Sequence, residues 1–126
     1  MKILLADDTP AIRNFISTVL RQMGYRDILE AENGGKAWAI LCSAKVDLLL
    51  TDWNMPVMSG LELLEKVRHQ PGYEQLPVLI FTGRNTKDDV VNAARSGASA
   101  YLVKPFSVQQ FSAKIRALIR RDLHSQ

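Results

Sequence analysis

The sequence predicts an α/β domain: a five-stranded parallel sheet, doubly wound by helices as a (βα)₅ series. Three observations predict it. Five short runs rich in Ile, Leu and Val are near-continuously apolar and do not alternate, as befits strands buried on both faces. Helical patterns lie between and after these runs, which gives the right-handed βαβ units of an open α/β sheet. The chain has 126 residues, 47% hydrophobic and 23% charged, so one core can form without the disulfide or metal staples needed below about 70–80 residues. No repeat or linker divides it, and residues 1–126 read as one domain.

The first strand covers residues 3–6. Ile12, Phe15, Ile16, Val19, Leu20 and Met23 follow at offsets 0, 3, 4, 7, 8 and 11, an amphipathic helix stopped by Gly24. Residues 28–31 form the second strand, and Ala37, Ile40, Leu41 and Ala44 repeat the helical pattern more weakly. The third strand, 46–51, precedes a helix over 59–69 with Leu61, Leu64 and Val67 inward. After the fourth strand, 78–82, Val90, Ala93, Ala94 and Gly97 mark a helix whose small residues permit close packing on the sheet. The fifth strand is 100–103. The last helix carries Val108, Phe111, Ile115, Leu118 and Ile119, with Ser107 as its N-cap.

Composition excludes a disordered chain, a collagen-like repeat and a disulfide scaffold. Cys42 has no second cysteine to pair with, reads as buried packing, and cannot build a zinc finger with His69 and His124. No apolar run approaches the roughly 18 residues of a membrane span. The N-terminus turns acidic at Asp7, too early for a secretory signal, so a cytoplasmic protein is expected. The net charge of +3 is not the footprint of a nucleic-acid binder. Lys114, Arg116, Arg120 and Arg121 lack interleaved aromatics and read as a solvated helix face.

Open α/β sheets bind ligands beyond the carboxyl ends of their strands. Those ends carry Asp7 and Asp8 after the first strand, Asp52 after the third, Thr82 on the fourth and Lys104 after the fifth. The second strand supplies no partner; a sheet ordered 2-1-3-4-5, inferred from this grouping, would put it at an edge and bring the other four ends together. Three carboxylates against one ammonium leave two negative charges, which a divalent cation balances. An all-oxygen, half-hydrated site suits Mg²⁺ better than Zn²⁺. With the metal bound, the pocket can accept a phosphoryl group, Lys104 and Thr82 holding its oxygens and one carboxylate serving as nucleophile. Singly, each residue has a plainer reading: loop acids capping a helix, a turn at Asp52, a strand-end Thr82, a solvated Lys104. Four coincident strand ends favour the pocket.

Asp7-Asp8, the run Asp52-Trp53-Asn54-Met55-Pro56-x-Met58-x-Gly60, Thr82, Gly97-Ala98 and Tyr101-x-Val103-Lys104-Pro105-Phe106 resemble the receiver domain of two-component response regulators. The match runs the length of the chain in order and spacing, and is closest to the single-domain chemotaxis-type (CheY-like) regulators. The family shares the 2-1-3-4-5 order, so that expectation is not independent of the resemblance. The resemblance implies that Asp52 is the phosphoacceptor for a histidine kinase. It implies Mg²⁺ held by Asp8, Asp52 and the backbone carbonyl of Asn54, with Asp7 acting through a water. Thr82 and Lys104 would contact the phosphoryl oxygens, Tyr101 would swing inward on activation, and Lys104-Pro105 would be cis. Trp53 would form a pocket wall, and Gly83 would leave phosphodonors access. Arg84 stands either as a plain surface arginine or, with Asn54, as a residue that tunes dephosphorylation.

The expected protein is a signalling phosphoacceptor and not an enzyme, a monomer or weak dimer. Its partners would be a histidine kinase and an output protein such as the flagellar motor switch, met through the last strand and last two helices, with no nucleic acid and no membrane. It is either a complete regulator or a receiver cut from a larger regulator or hybrid kinase. The rival from another class is a Mg²⁺-dependent phosphohydrolase with an aspartate nucleophile. Haloacid-dehalogenase-like enzymes need a second aspartate where this chain has Asn54, and a cap domain it lacks. A nucleotide binder is disfavoured because neither Asp7-Asp8-Thr9-Pro10 nor Gly34-Gly35-Lys36-Ala37 is a phosphate loop.

Overall fold

A computed structural model of the chain describes residues 1–124, with side chains described for residues 1–120. Ten elements alternate: β1 (Lys2–Ala6), α1 (Pro10–Gln22), β2 (Asp27–Ala31), α2 (Gly34–Ser43), β3 (Leu48–Asp52), α3 (Gly60–His69), β4 (Val78–Thr82), α4 (Lys87–Arg95), β5 (Ala100–Val103) and α5 (Val108–His124). The strands form one parallel sheet in the order β2-β1-β3-β4-β5, as the sequence predicts.

Both faces of the sheet are covered, and the strand period of two sorts their side chains. Ile3, Leu5, Leu48, Leu50, Leu79 and Phe81 pack with Ile16 and Leu20 of α1 and Phe111, Ile115 and Leu118 of α5. Leu4, Ala6, Leu49, Val78 and Ile80 pack with Ala37 and Leu41 of α2, Leu63, Leu64 and Val67 of α3 and Ala93 of α4. This two-sided burial is why the strands read as unbroken apolar runs.

Several boundaries differ from the sequence reading for local reasons. β3 starts at Leu48 and not at 46, because the Val46 amide donates to the Tyr73 hydroxyl (3.1 Å) instead of to a strand. It runs on through Asp52, which pairs with Phe81. α3 starts at Gly60. Ser59 is its N-cap, in a reciprocal capping box with Glu62 worth about 1 kcal/mol. The inward face of α3 is Leu63, Leu64 and Val67, and Leu61 is only half-buried. α4 buries Ala93 alone among its described side chains, leaving Val90 and Val91 exposed. Gly97 lies beyond α4 at φ +105°, and the bonds from Gly97 N to Ala94 O and from Ala98 N to Ala93 O close a Schellman turn.

Two further expectations are corrected. Cys42 is exposed, because Ala37 and Leu41 occupy the inward face of α2 and Cys42 lies a step further round it. Val108, in the first turn of α5, is exposed and stands outside the inward stripe of Phe111, Ile115 and Leu118. Ser107 does cap α5: its hydroxyl accepts from the Gln110 amide at 3.0 Å, and its own amide donates to Gln110 at 2.8 Å. The side chains of Arg121 and His124 lie outside the described residues. Among the described residues no helix is long and apolar enough to cross a membrane.

Candidate functional site

Register sets the site. Ala6 pairs with Thr51, Asp52 with Phe81 and Thr82 with Val103, so the carboxyl ends of β1, β3, β4 and β5 finish level. The ends expected to converge do so, and β2 lies at the sheet's edge. Asp7 and Thr82 are fully buried, Asp52 nearly so, Asp8 is exposed and Lys104 is half-buried. One oxygen from each of Asp7, Asp8 and Asp52 lies within 4.8 Å of the other two. Lys104 Nζ stands 3.1 Å from Asp52 Oδ2 and 3.5 Å from Asp7 Oδ2. The Lys104–Pro105 peptide is cis.

Burial pushes the Asp52 carboxyl above its usual value, and the Asp7 charge adds to this. The hydrogen bond and charge of Lys104, and the Asn54 amide, oppose the rise. One ammonium therefore under-compensates the cluster, a condition that favours a proton or a cation. The donors are all hard carboxylate oxygens, which fits a hard divalent ion of the Mg²⁺ class. Asp7 is already occupied: Oδ1 accepts from the Thr9 amide at 2.7 Å while Oδ2 faces Lys104. Asp8 has no hydrogen bond or ion pair among the described residues, which leaves its lone pairs free.

Gly60 keeps Asp52 in place from behind. Its amide donates to the Trp53 carbonyl at 2.8 Å, and a Cβ there would lie 2.1 Å from the Asp52 carbonyl oxygen. Only glycine lets α3 begin this close to the acid. Thr82 Oγ1 accepts from the Arg84 amide at 3.2 Å. A Cβ on Gly83 would meet nothing within 4 Å, so the mouth beside Thr82 is open.

The model of the response regulator receiver domain matches residues 3–116 of this chain. The chain belongs to that family. Over 120 residues the receiver is 41% identical to the chemotaxis protein CheY homolog of Campylobacter jejuni, covering 94% of this chain and 92% of the relative. It is 40% identical over 121 residues to the chemotaxis protein CheY of Pseudomonas aeruginosa, covering 96% and 98%. Among solved structures it resembles the chemotaxis response regulator CheY4 of Vibrio cholerae, with TM-score 0.88, 32% identity and coverage of 93% and 97%. It also resembles the receiver domain of a Pseudomonas aeruginosa sensor histidine kinase solved with a magnesium ion in its active-site cleft. There the TM-score is 0.82, the identity 28%, and the coverage 94% of each chain.

Around the receiver's pocket, sequence reasoning misses a set of contacts centred on Arg84. Its guanidinium lies 4.7 Å from the centroid of the Trp53 ring, 3.4 Å from Asn54 Oδ1 and 3.6 Å from Asp89 Oδ1. Its carbonyl accepts the Tyr101 hydroxyl at 2.8 Å, and Tyr101 meets the Trp53 ring edge-on at 6.3 Å. Burial, then Asp89, raises the Tyr101 phenol above its ordinary value, against Arg84. Arg84 thus joins the β3–α3 loop to α4 and is no idle surface arginine. Val57 is also unannounced in the sequence. It is 81% exposed at φ 73°, a strained conformation for a β-branched residue in the same loop.

Proposed function

We propose that residues 1–126 form one receiver domain that takes a phosphoryl group from a phosphohistidine of a histidine kinase onto Asp52, in chemotaxis-type two-component signalling in the cytoplasm. The single observation that carries this reading is the Lys104–Asp52–Asp7 triplet closed by the acid cluster. It offers a nucleophilic carboxylate, a cation for the incoming oxygens and a charge deficit for a metal. An Asp52 oxygen attacks phosphorus, the P–N bond breaks, and the imidazole leaves with a proton; the product is an acyl phosphate. Lys104 Nζ and the Thr82 hydroxyl receive the phosphoryl oxygens. Asp8, Asp52 and the Asn54 carbonyl would hold Mg²⁺ with Asp7 behind a water, and the ion supplies neutralisation of charge on the phosphoryl oxygens. The free lone pairs of Asp8 and the engaged oxygens of Asp7 support that division.

The phosphoryl group then works as a switch. It draws the Thr82 hydroxyl and opens room for Tyr101, whose hydroxyl here rests on the Arg84 carbonyl. The responding surface is α4, β5 and α5, where Val90, Val91, Val103, Val108, Lys114, Arg116 and Arg120 are exposed. An output protein, the flagellar motor switch or another effector, would read it by binding the two states unequally. Incubation with a phosphorylated histidine kinase tests the proposal. A receiver acquires one persistent, alkali-labile label per chain and shows amide shifts in α4, β5 and α5. Steady release of phosphate from small phosphate esters, with no such shifts, would instead indicate a phosphohydrolase.

A further inference from the structure

The peptide that joins Asp7 to Asp8 is held from a side the pocket does not use. Arg13, in the first turns of α1, reaches back and donates from Nη1 to the Asp7 carbonyl oxygen at 2.7 Å. Its Nε donates to Glu30 Oε1 of β2 at 3.2 Å. The Arg13 side chain is 18% exposed and its bond to the Asp7 carbonyl is partly buried, while Glu30 holds it from the exposed side. Thr9, the N-cap of α1, makes no side-chain capping bond, and no acid occupies the first turn of α1. The β1–α1 loop is thus held by four bonds around Asp7: its amide to the Ala31 carbonyl (3.1 Å), its two carboxylate oxygens from the Thr9 amide and Lys104, and its carbonyl from Arg13.

The last of these matters most for Asp8. The carbonyl of Asp7 and the amide of Asp8 belong to one rigid peptide plane, so anchoring the oxygen fixes where the Asp8 backbone begins. Asp8 itself is exposed and makes no bond of its own among the described residues. Guanidinium geometry suits this task, because one planar fork grips a carboxylate on β2 and a carbonyl after β1 together. Lysine carries the same charge and cannot make both contacts in one plane.

We infer that Arg13, held by Glu30, is a positioning residue that orients the Asp7–Asp8 peptide so that the Asp8 carboxylate faces the metal site. This inference rests on the metal site proposed above. The test is a Mg²⁺ titration read by Trp53 fluorescence, together with the backbone amide dynamics of Asp8 in the metal-free protein. Arg13→Ala should weaken Mg²⁺ binding about tenfold, in line with partners that orient metal ligands, and should loosen the Asp8 amide well below the unfolding midpoint. Arg13→Lys should fail to restore affinity, since charge alone is not the device. Glu30→Gln, which perturbs the fold least, should give a smaller loss in the same direction. Equal Mg²⁺ affinity in wild type and Arg13→Ala overturns the inference alone, as does full rescue by lysine. Absence of Mg²⁺ binding by the wild type overturns the metal site and this inference with it.

Discussion

Lys104 Nζ lies 3.1 Å from Oδ2 of Asp52, so the cation at the end of β5 touches the acid at the end of β3 across the intervening strand β4. The same ammonium reaches Asp7 at 3.5 Å. Lys104 is therefore the counterweight to burial at Asp52, and its removal has a defined direction. Lys104→Met should move the Asp52 carboxyl further above its ordinary range, since burial and Asp7 would then act unopposed by that charge. A carboxyl-carbon chemical-shift titration reads this directly, and an unchanged Asp52 midpoint would contradict it.

The raised Asp52 carboxyl also has a consequence for stability. Burial makes the folded state bind this proton more tightly than the unfolded chain does. The contribution is full below the ordinary carboxylate range and is lost as pH rises through the folded value. Asp52→Asn cannot ionise, so in metal-free buffer it should be more stable than wild type above that window and lose the advantage below it. Denaturant midpoints measured against pH would be parallel for the two proteins if the idea were wrong.

Asp8 and Asp7 should differ as ligands. Asp8→Ala should weaken Mg²⁺ binding more than Asp7→Ala, because Asp7 spends its oxygens on Thr9 and Lys104 while Asp8 spends none. At a hundredfold excess over the dissociation constant, Mg²⁺ should stabilise the wild-type fold by about 2.7 kcal/mol through mass action. Thermal denaturation with and without the ion measures both effects, and equal shifts in all three proteins would remove the ligand assignment.

Arg84→Ala strips the cation from the face of Trp53 and frees Asn54 and Asp89. The stability loss should be small, about 0.5–1 kcal/mol, as for a partly exposed cation–π contact. The lifetime of the phosphorylated form should change as well, since the guanidinium holds the side chain of Asn54, two residues from Asp52. A decay rate equal to that of the wild type would confine Arg84 to a structural role.

The fold was legible because burial on both sheet faces writes strands as unbroken apolar runs, such as Leu48-Leu49-Leu50 and Val78-Leu79-Ile80. The pocket was legible because parallel strands deliver their last residues to one edge, which made Asp7, Asp8, Asp52, Thr82 and Lys104 a set. What escaped depends on side chains crossing between elements. The order 2-1-3-4-5 puts β2 beside β1, yet nothing in the spacing of Arg13 and Glu30, seventeen residues apart, announces that the arginine bridges from Glu30 back to Asp7. Arg84 likewise finds Trp53 and Asn54 thirty residues upstream. Which of Leu61 and Leu63 faces inward, and that Cys42 faces out, depend on how α3 and α2 are rotated against the sheet, which the helical period alone does not resolve.

The central claim is that the Asp52 carboxylate is the nucleophile that becomes an acyl phosphate. Wild type and Asp52→Asn, exposed in parallel to Mg²⁺ and a small acyl phosphate, can be compared by intact-mass spectrometry with the labelled peptide mapped. The account predicts one added phosphoryl group per wild-type chain, located on Asp52, and none on a folded Asp52→Asn, whose amide is nearly isosteric but not a competent nucleophile. Label at wild-type level on Asp52→Asn, or label mapped to another residue of the wild type, would contradict it.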